Sequence, residues 1–145
     1  MILGIGIDVV DVNGFREQLS DVASTFVRGS FTEGEQERVS RRPAADKTPH
    51  FAARYAAKEA FIKAWSSSRK GLAPVLPHMK FTDVEVIEDS WGRPGIRLRG
   101  ETLQAFDAAG PHPRIHLSIS HDGPVATAYV MLEEAPSHHS SGEQP

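Results

Sequence analysis

The sequence of 145 residues suits one globular domain, because 39% of its residues are hydrophobic, 24% are charged, and a chain of this length can bury roughly two-thirds of its unfolded surface. Its formal net charge of −3 argues against a general nucleic-acid-binding protein, which needs a surplus of cations to displace counterions. The absence of cysteine excludes disulfides, zinc–thiolate sites and a cysteine nucleophile.

The first predicted element is a buried strand over residues 2–10, ILGIGIDVV, which is rich in β-branched residues and lacks a helical period. One face of this strand consists of Leu3, Ile5, Ile7 and Val9, and the other consists of Ile2, Gly4, Gly6 and Asp8. Glycine in a strand often marks the close approach of a ligand or of another backbone, so Asp8 is a candidate site residue. The alternative is that Asp8 ends the strand or caps the following helix.

The same apolar run is not predicted to be a targeting or membrane segment. No basic segment precedes it, and it is much shorter than the ~20 apolar residues of a membrane-spanning helix. It also lacks the third glycine of a dinucleotide-binding fingerprint. We therefore expect a cytoplasmic protein that does not bind membranes.

Three helices are predicted in the next part of the chain, over residues 11–20, 31–39 and 50–66. Thr32 is the expected N-cap of the second helix, and Glu35 three residues later completes a capping box. A polar break over 40–49 precedes the long third helix, which is expected to start near Thr48 or Pro49.

The long helix is apolar nearly all round when it is drawn at 100° per residue. One arc consists of Phe51, Tyr55, Phe61, Ile62 and Trp65, and the opposite arc consists of Ala53, Ala56, Ala57, Ala60 and Ala64. Because both arcs must be covered, this helix is predicted to be central in the fold.

Charged residues interrupt this apolar surface. Glu59 lies on the seam between the two arcs, while Arg54 and Lys58 project from the aromatic arc. The simplest interpretation is an i,i+4 ion pair between Glu59 and Lys63. Because the helix has no wide polar face, however, Glu59 is expected to be partly buried. A buried carboxylate needs a cation, a proton or a metal.

The C-terminal half predicts a loop over 66–80, a turn over 90–95 and a helix over 101–110. The predicted strands are 81–89, 96–100, 114–120 and 125–132, and HDGP joins the last two as a hairpin. This order of elements predicts an α+β fold, with the long central helix packed on a mostly antiparallel sheet. We expect one domain over 1–133 and a disordered tail over 134–145.

His121 lies at the end of the strand 114–120, in the segment HLSISHDG. Ser120, His121 and Asp122 cannot form a hydrolase triad among themselves, because adjacent residues of an extended strand point apart. A lone histidine at such a position is most often structural.

The two isolated carboxylates suggest a hard cation with a phosphate ligand. Several cations lie near them in the sequence: Arg54, Lys58, Lys63, Arg69 and Lys70. Magnesium is usually held by one or two carboxylates together with substrate phosphates. This combination is typical of phosphoryl transfer, in which the protein mainly positions groups and neutralises charge.

Five segments resemble the holo-acyl-carrier-protein synthases, the small class of 4′-phosphopantetheinyl transferases. They are GIGIDVV, FTEGE, AARYAAKEAFIKA, WGRPGI and HLSISHDGPVATA, and their order and spacing match the family over residues 1–133. The resemblance implies transfer of 4′-phosphopantetheine from coenzyme A to a serine hydroxyl of apo acyl carrier protein, a step of fatty acid biosynthesis. Adenosine 3′,5′-bisphosphate is the other product.

The resemblance also implies site residues and an assembly. Asp8 and Glu59 match the magnesium ligands of the family, and Lys63 matches a lysine near the transferred phosphate. Contacts with coenzyme A are implied for Arg54, Lys63, Lys70, Gly71, Pro94 and His121. Asp8, Glu59, Lys63 and His121 are the implied catalytic residues, and the family implies a homotrimer with active sites between subunits.

The sequence departs from the family in three places, one of which is a loop over 66–80 that is longer than in the shortest members. Glu88 stands where many members have an asparagine before the GxP turn, and the first helix is acidic, whereas the family often docks its acidic carrier on a basic helix. Docking could rely instead on Arg28, Arg38, Arg41 or Arg42, although the latter three could equally belong to a solvated surface loop.

Two other function classes remain open on the sequence. One is a metal-dependent phosphohydrolase of coenzyme A or nucleotides, and the other is a non-catalytic coenzyme A sensor. The group that accepts the serine proton also stays open between a metal-bound water, Asp122 and another residue.

Overall fold

The computed structural model describes residues 1–21, 25–110 and 112–136. In chain order it contains β1 (Ile2–Asp11), α1 (Val12–Ser20), α2 (Phe26–Ser30), α3 (Glu33–Ser40), α4 (Thr48–Ser68), a 3₁₀ turn (Phe81–Asp83), β2 (Val84–Glu88), β3 (Pro94–Leu98), α5 (Gly100–Ala108), β4 (Arg114–Asp122) and β5 (Val125–Glu133). The predicted α+β class is confirmed.

The strands form two antiparallel sheets. One has the order β1-β5-β4, and the other is the hairpin of β2 and β3. The long helix α4 packs on the three-stranded sheet, mainly against β1 and β5, and it also contacts β2. The predicted central position of this helix is therefore confirmed.

The glycine face of β1 allows α4 to approach very closely. A Cβ atom added at Gly6 would lie 2.0 Å from the carbonyl oxygen of Ala60, and one at Gly4 would lie 2.2 Å from that of Ala64. Asp8 follows on the same face of the strand, so its carboxylate is directed towards the helix.

The opposite face of β1 is apolar and exposed. Ile5, Ile7 and Val9 are 51%, 58% and 63% exposed, and Tyr129 on β5 is 41% exposed beside Ile7. Side chains of this kind normally need a covering surface when they lie together on a sheet.

A buried ion pair holds α4 against α3 and β2. The Lys58 ammonium and the Glu35 carboxylate are fully buried, and Nζ lies 2.7 Å from Oε1. Lys58 also donates to the carbonyl oxygens of Val84 and Phe81, at 2.7 and 3.0 Å. Glu35 accepts from the amide of Val86 at 3.1 Å, so both charges are paired with several partners.

The capping box of Thr32 and Glu35 is present as predicted. The alternative role for Asp8 is wrong, because β1 continues to Asp11 and the Asp11 side chain caps α1 through the amide of Gly14. The helix α2 was not predicted.

Several element boundaries also differ from the prediction. Residues 81–83 form a 3₁₀ turn and not the start of a strand, because the carbonyl oxygen of Phe81 accepts from Nζ of Lys58 and the Asp83 carboxylate accepts from Thr102. The other elements agree with their predicted positions within a few residues. Of the predicted tail, residues 137–145 lie outside the described residues, while the amide of Glu134 donates to the carbonyl of Met1 at 2.8 Å.

Candidate active site

An open pocket of about 460 Å³ brings together the two candidate carboxylates, Asp8 from β1 and Glu59 from α4. Burial raises the pKa of the Glu59 carboxyl above its ordinary value, and the negative charge of Asp8 raises it further, while Lys63 opposes the shift. Half-buried Tyr55 and exposed Gln18 line the same pocket. The pair therefore forms a partly desolvated, negatively charged site that a cation would stabilise.

Lys63 lies at the rim of this pocket. Its Nζ is 2.9 Å from Oδ1 of Asp8 and 3.0 Å from the carbonyl oxygen of Ile7, and its side chain is 53% exposed. The lysine thus bridges from the helix to the strand. It pairs with Asp8, and not with Glu59 as the simplest interpretation of the sequence predicts. Asp8, Glu59 and Lys63 form one group.

Arg54 belongs to a second group at the N-terminal end of α4. Its side chain is only 2% exposed; it donates to Oε1 of Glu88 at 2.8 Å and to the carbonyl oxygen of His50 at 3.1 Å. Glu88 also pairs with Arg42, so one carboxylate serves two guanidinium groups. The buried Nε of Arg54 has no hydrogen-bond partner among the described residues.

His121 and Pro94 lie near this second group. The ring of His121 stands edge-on to the ring of His50, with centroids 5.4 Å apart. Burial lowers the pKa of His50, and the charge of Arg42 lowers it further. Pro94 pairs with Glu88 across the β2–β3 hairpin.

Lys70 and Gly71 lie just beyond the C-terminal end of α4, where Gly71 adopts a φ of +85° that favours glycine. Lys70 is sixteen residues after Arg54, which is ~24 Å along a helix. Within one chain, the residues implied to contact coenzyme A therefore lie in three places: at the carboxylate pocket, at the N-terminal end of α4 and beyond its C-terminal end.

Asp122 is not among the residues that line the Asp8–Glu59 pocket. In the sheet, Asp8 pairs with Ala128, which pairs with Ile119, so Ile119 is two strand spacings from Asp8, ~10 Å across the sheet. Asp122 lies three residues beyond Ile119, a further ~10 Å along β4. Within one chain, Asp122 is therefore too far from the Asp8–Glu59 pocket to accept a proton there.

Three of the four arginines considered for carrier docking pair with acidic residues of the same chain, whereas Arg28 is exposed on α2. Arg38 lies 3.3 Å from Glu85 and donates to the carbonyl of Val86 at 2.9 Å. Arg41 pairs with Glu37, and Arg42 pairs with Glu88. Arg38 and Arg42 are therefore partly buried, whereas the Arg41–Glu37 pair is exposed to solvent. On α1, Arg16 pairs with Asp46 at 2.7 Å.

Sequence reasoning missed three contributors to these groups: Tyr55 at the carboxylates, His50 beneath His121, and Glu88 between the arginines. The i,i+4 spacing of Tyr55 and Glu59 was a usable signal. Nothing in the local sequence around His50 or Glu88 indicates their partners, because those contacts join distant segments.

Comparison with known proteins identifies the family. A family model described as the 4′-phosphopantetheinyl transferase superfamily matches residues 4–130. The chain belongs to this superfamily, and it is a transferase. It is 44% identical to a holo-[acyl-carrier-protein] synthase of Nocardia farcinica, over 92% of this chain and 88% of that protein.

Solved structures of the family share the fold. An ACPS–CoA complex from Chronobacterium ammoniagenes superposes with a TM-score of 0.83 at 41% identity, covering 92% of this chain and 98% of that one. The acyl carrier protein synthase of Mycobacterium tuberculosis gives a TM-score of 0.72 at 39% identity, covering 93% and 100%. The resemblance noted in the sequence is thereby confirmed.

Two further properties concern only the residues that the structure describes. Within 1–21, 25–110 and 112–136, no helix combines the length and the apolar character that crossing a bilayer requires. The same ranges contain no cluster of three or more histidine or acidic side chains that could hold a metal ion.

Proposed function

We propose that this transferase moves 4′-phosphopantetheine from coenzyme A to a serine hydroxyl of apo acyl carrier protein and releases adenosine 3′,5′-bisphosphate. The observation that carries the proposal is the Asp8–Glu59 pocket with Lys63 at its rim, in a chain of the phosphopantetheinyl transferase superfamily. Relatives named holo-[acyl-carrier-protein] synthase and a neighbour in complex with CoA support the same reaction.

We further propose that Asp8 and Glu59 hold Mg²⁺. The donor set fits this ion, because two carboxylates in one partly buried pocket repel each other and raise the pKa of Glu59. Magnesium commonly takes one or two carboxylates and completes its coordination with water and substrate phosphates. When bound, it would supply positive charge to offset the negative charge that develops on the pyrophosphate.

Lys63 lies where it could contact the transferred phosphate in addition to the proposed Mg²⁺. Its ammonium pairs with Asp8, and the side chain is 53% exposed. Lys63 can therefore turn towards a ligand at the pocket rim without leaving a buried position. Asp8 thus orients the lysine, and Lys63 would place the phosphate beside the cation that the two carboxylates would hold.

We propose that the other coenzyme A contacts, Arg54, Pro94, His121, Lys70 and Gly71, complete the site across subunits of a homotrimer. Two observations support this assembly. The second group of residues lies around Glu88 and His50, apart from the carboxylate pocket. The exposed face of Ile5, Ile7 and Val9 offers an apolar surface for another copy of the chain.

The test is direct. The protein is incubated with coenzyme A, Mg²⁺ and an apo acyl carrier protein, and the carrier is weighed by mass spectrometry. A gain of one phosphopantetheine supports the transferase. Phosphorylated pantetheine or free phosphate without a gain would support a phosphohydrolase, and unchanged coenzyme A would support a sensor. The cytoplasmic location expected from the sequence stays a prediction.

A further inference from the structure

Three arginines converge on one buried carboxylate at the β2–β3 hairpin. The Glu85 side chain is 2% exposed, and nitrogens of Arg97, Arg99 and Arg38 lie 2.7, 3.0 and 3.3 Å from its oxygens. The side chains of Arg97 and Arg99 are themselves 52% and 50% exposed. One negative charge thus faces three positive charges. We call this cluster the arginine surface, and it has an excess of positive charge towards solvent.

The need to balance Glu85 does not explain three cations. The buried carboxylate of Glu35 is paired with a single ammonium, that of Lys58. A guanidinium has five N–H donors, and those of Arg97 and Arg99 are half-exposed while they pair with Glu85. Both arginines can therefore bind an outside carboxylate without breaking their contact with Glu85.

The 3₁₀ turn connects the arginine surface to the carboxylate pocket. The ring of Phe81 in this turn packs against Tyr55, which lines the pocket, with centroids 5.1 Å apart. The carbonyl oxygen of Asp83, in the same turn, accepts from the amide of Arg99 at 2.8 Å. A protein interface that buries ~800 Å² on each partner is ~30 Å across. A protein whose serine enters the pocket can therefore reach the arginine surface within one interface.

The α1 side of the carboxylate pocket is acidic. A neighbouring open pocket is lined by Glu17 and Asp21, and it shares Gly14 and Gln18 with the carboxylate pocket, so the two are continuous. The one basic residue of α1, Arg16, pairs with an acidic side chain of the same chain. An acidic partner would meet like charges on α1 and opposite charges on the arginine surface.

We propose that the protein acceptor docks with an acidic face on the arginine surface, and not on α1. This inference rests on the proposed transfer to a serine of a carrier protein, and it names the surface that recognises the carrier. Charges at the rim of an interface act mainly on the association rate and its salt dependence. The arginine surface therefore determines KM for the carrier, and it leaves kcat and KM for coenzyme A unaffected.

The experiment measures steady-state transfer at saturating coenzyme A and Mg²⁺ with the concentration of apo acyl carrier protein varied. The variant combines Arg97→Gln with Arg99→Gln. An exposed ion pair contributes a factor of about two to five, so KM for the carrier should rise roughly four- to twenty-five-fold. Added salt screens exposed charges, so KM for the carrier also rises with salt in the wild type, and less steeply in the variant.

Further variants separate charge from folding. Arg114→Gln is the matched control, because it removes an exposed arginine from β4 and leaves KM for the carrier unchanged. Lysine at both positions 97 and 99 keeps the charges and most of the carrier affinity. The single Arg97→Gln leaves Arg38 and Arg99 on Glu85, so it gives a two- to fivefold effect even if the double variant loses stability. Tm is measured for each protein.

Two results would overturn the docking surface. One is a wild-type KM for the carrier in folded Arg97→Gln and in the folded double variant. The other is a rise in this KM that is confined to Arg16→Ala, which would place the carrier on α1. In both cases the carrier still gains phosphopantetheine, so the proposed function stands. A wild type that leaves the mass of the carrier unchanged overturns the proposed function and the docking surface with it.

Discussion

At the scale of single residues, the surroundings of Glu59 determine how readily its carboxyl ionises. It stands on a helix with no wide polar face, it is half-buried, and Asp8 shares its pocket. Both burial and the neighbouring charge disfavour its ionised form. A site that binds a cation in this way sacrifices some stability of the empty protein, since the carboxylates are held together without their counter-ion.

This cost predicts a pH-dependent stability difference. In the absence of metal, Glu59→Gln has a higher Tm than the wild type at neutral pH, where the folded wild type carries an ionised carboxylate that is disfavoured. The pKa of Glu59 is raised in the folded state, so its protonation relieves this penalty as pH falls through the raised value. The two proteins converge below the ordinary value of 4.5, where the carboxyl is neutral in both states.

Thermal unfolding of the two proteins from neutral to acidic pH, with a chelator present, checks this prediction. A wild type that is more stable than Glu59→Gln at neutral pH would mean that Glu59 is a stabilising ion-pair partner. The pairing of Glu59 with Lys63 expected from simple i,i+4 spacing would then be the better description.

Lys63 predicts a different phenotype, because the role proposed for it is a contact with the substrate. Loss of a charge-assisted hydrogen bond costs on the order of 1.5–3 kcal/mol. Lys63→Ala should therefore lower kcat/KM for coenzyme A by about tenfold to a hundredfold. Steady-state kinetics measure this, with Lys80→Ala as a control that removes an exposed lysine elsewhere. Unchanged kinetics in Lys63→Ala would remove Lys63 from the site.

At the scale of elements, the contact between β1 and α4 determines where the carboxylates meet. Gly6 lies against the backbone of α4, and the carbonyl oxygen of Ala60 occupies the space that a side chain at position 6 would need. Asp8 is two residues further along the same face of β1, so any separation of strand and helix also separates Asp8 from Glu59.

Gly6→Ala should therefore cost both stability and activity. The added Cβ would lie 2.0 Å from a backbone oxygen, which cannot rotate away, and overpacking of a core typically costs about 1–3 kcal/mol. Gly29→Ala is the matched control, because nothing lies within 4 Å of the added atom. Denaturant unfolding and the transfer rate measure the two effects. A Gly6→Ala protein as stable and as active as Gly29→Ala would refute this account of the contact.

The elements also show what the sequence could and could not predict. The half-buried state of Glu59 and the close approach at Gly4 and Gly6 followed from local patterns, because a helix without a polar face and a strand with two glycines each restrict their surroundings. The full burial of Lys58 could not be predicted. Its partner Glu35 is 23 residues away in sequence, and the carbonyl oxygens that it binds become available only when β2 packs against the helix.

The division of the strands into two sheets also could not be predicted from the sequence. Alternating residues indicate a strand but not its partner, and β1 pairs with β5 at the far end of the chain. The same limit applies to Arg54. The sequence predicted its position on the helix, but its burial against Glu88 depends on where the β2–β3 hairpin packs.

At the scale of the whole molecule, the separation of the site residues predicts that sites form between subunits. His121 contacts His50, which is nine residues before Glu59 and therefore ~13 Å away along α4. If one subunit supplies Glu59 and its neighbour supplies His121, inactive Glu59→Gln and His121→Ala proteins should complement each other. Random mixing restores up to about a quarter of the sites, the product of one half and one half.

The mixture is refolded together, its mass is checked for a trimer by light scattering, and its transfer rate is compared with that of each variant alone. Restored activity supports a shared site. A monomer in an active preparation, or a trimer without complementation, would contradict the proposed arrangement of subunits.

The proposed mechanism depends above all on the pair of carboxylates, Asp8 and Glu59. The most direct measurement is the rate at which folded Glu59→Gln converts apo acyl carrier protein to its phosphopantetheinylated form, followed by mass spectrometry at saturating coenzyme A and Mg²⁺. Glutamine keeps the shape of the side chain but is a poor ligand for so hard a cation, so the rate should fall by at least about a hundredfold, roughly 2.7 kcal/mol. A well-folded Glu59→Gln protein that transfers at the wild-type rate with the same dependence on Mg²⁺ would contradict the mechanism.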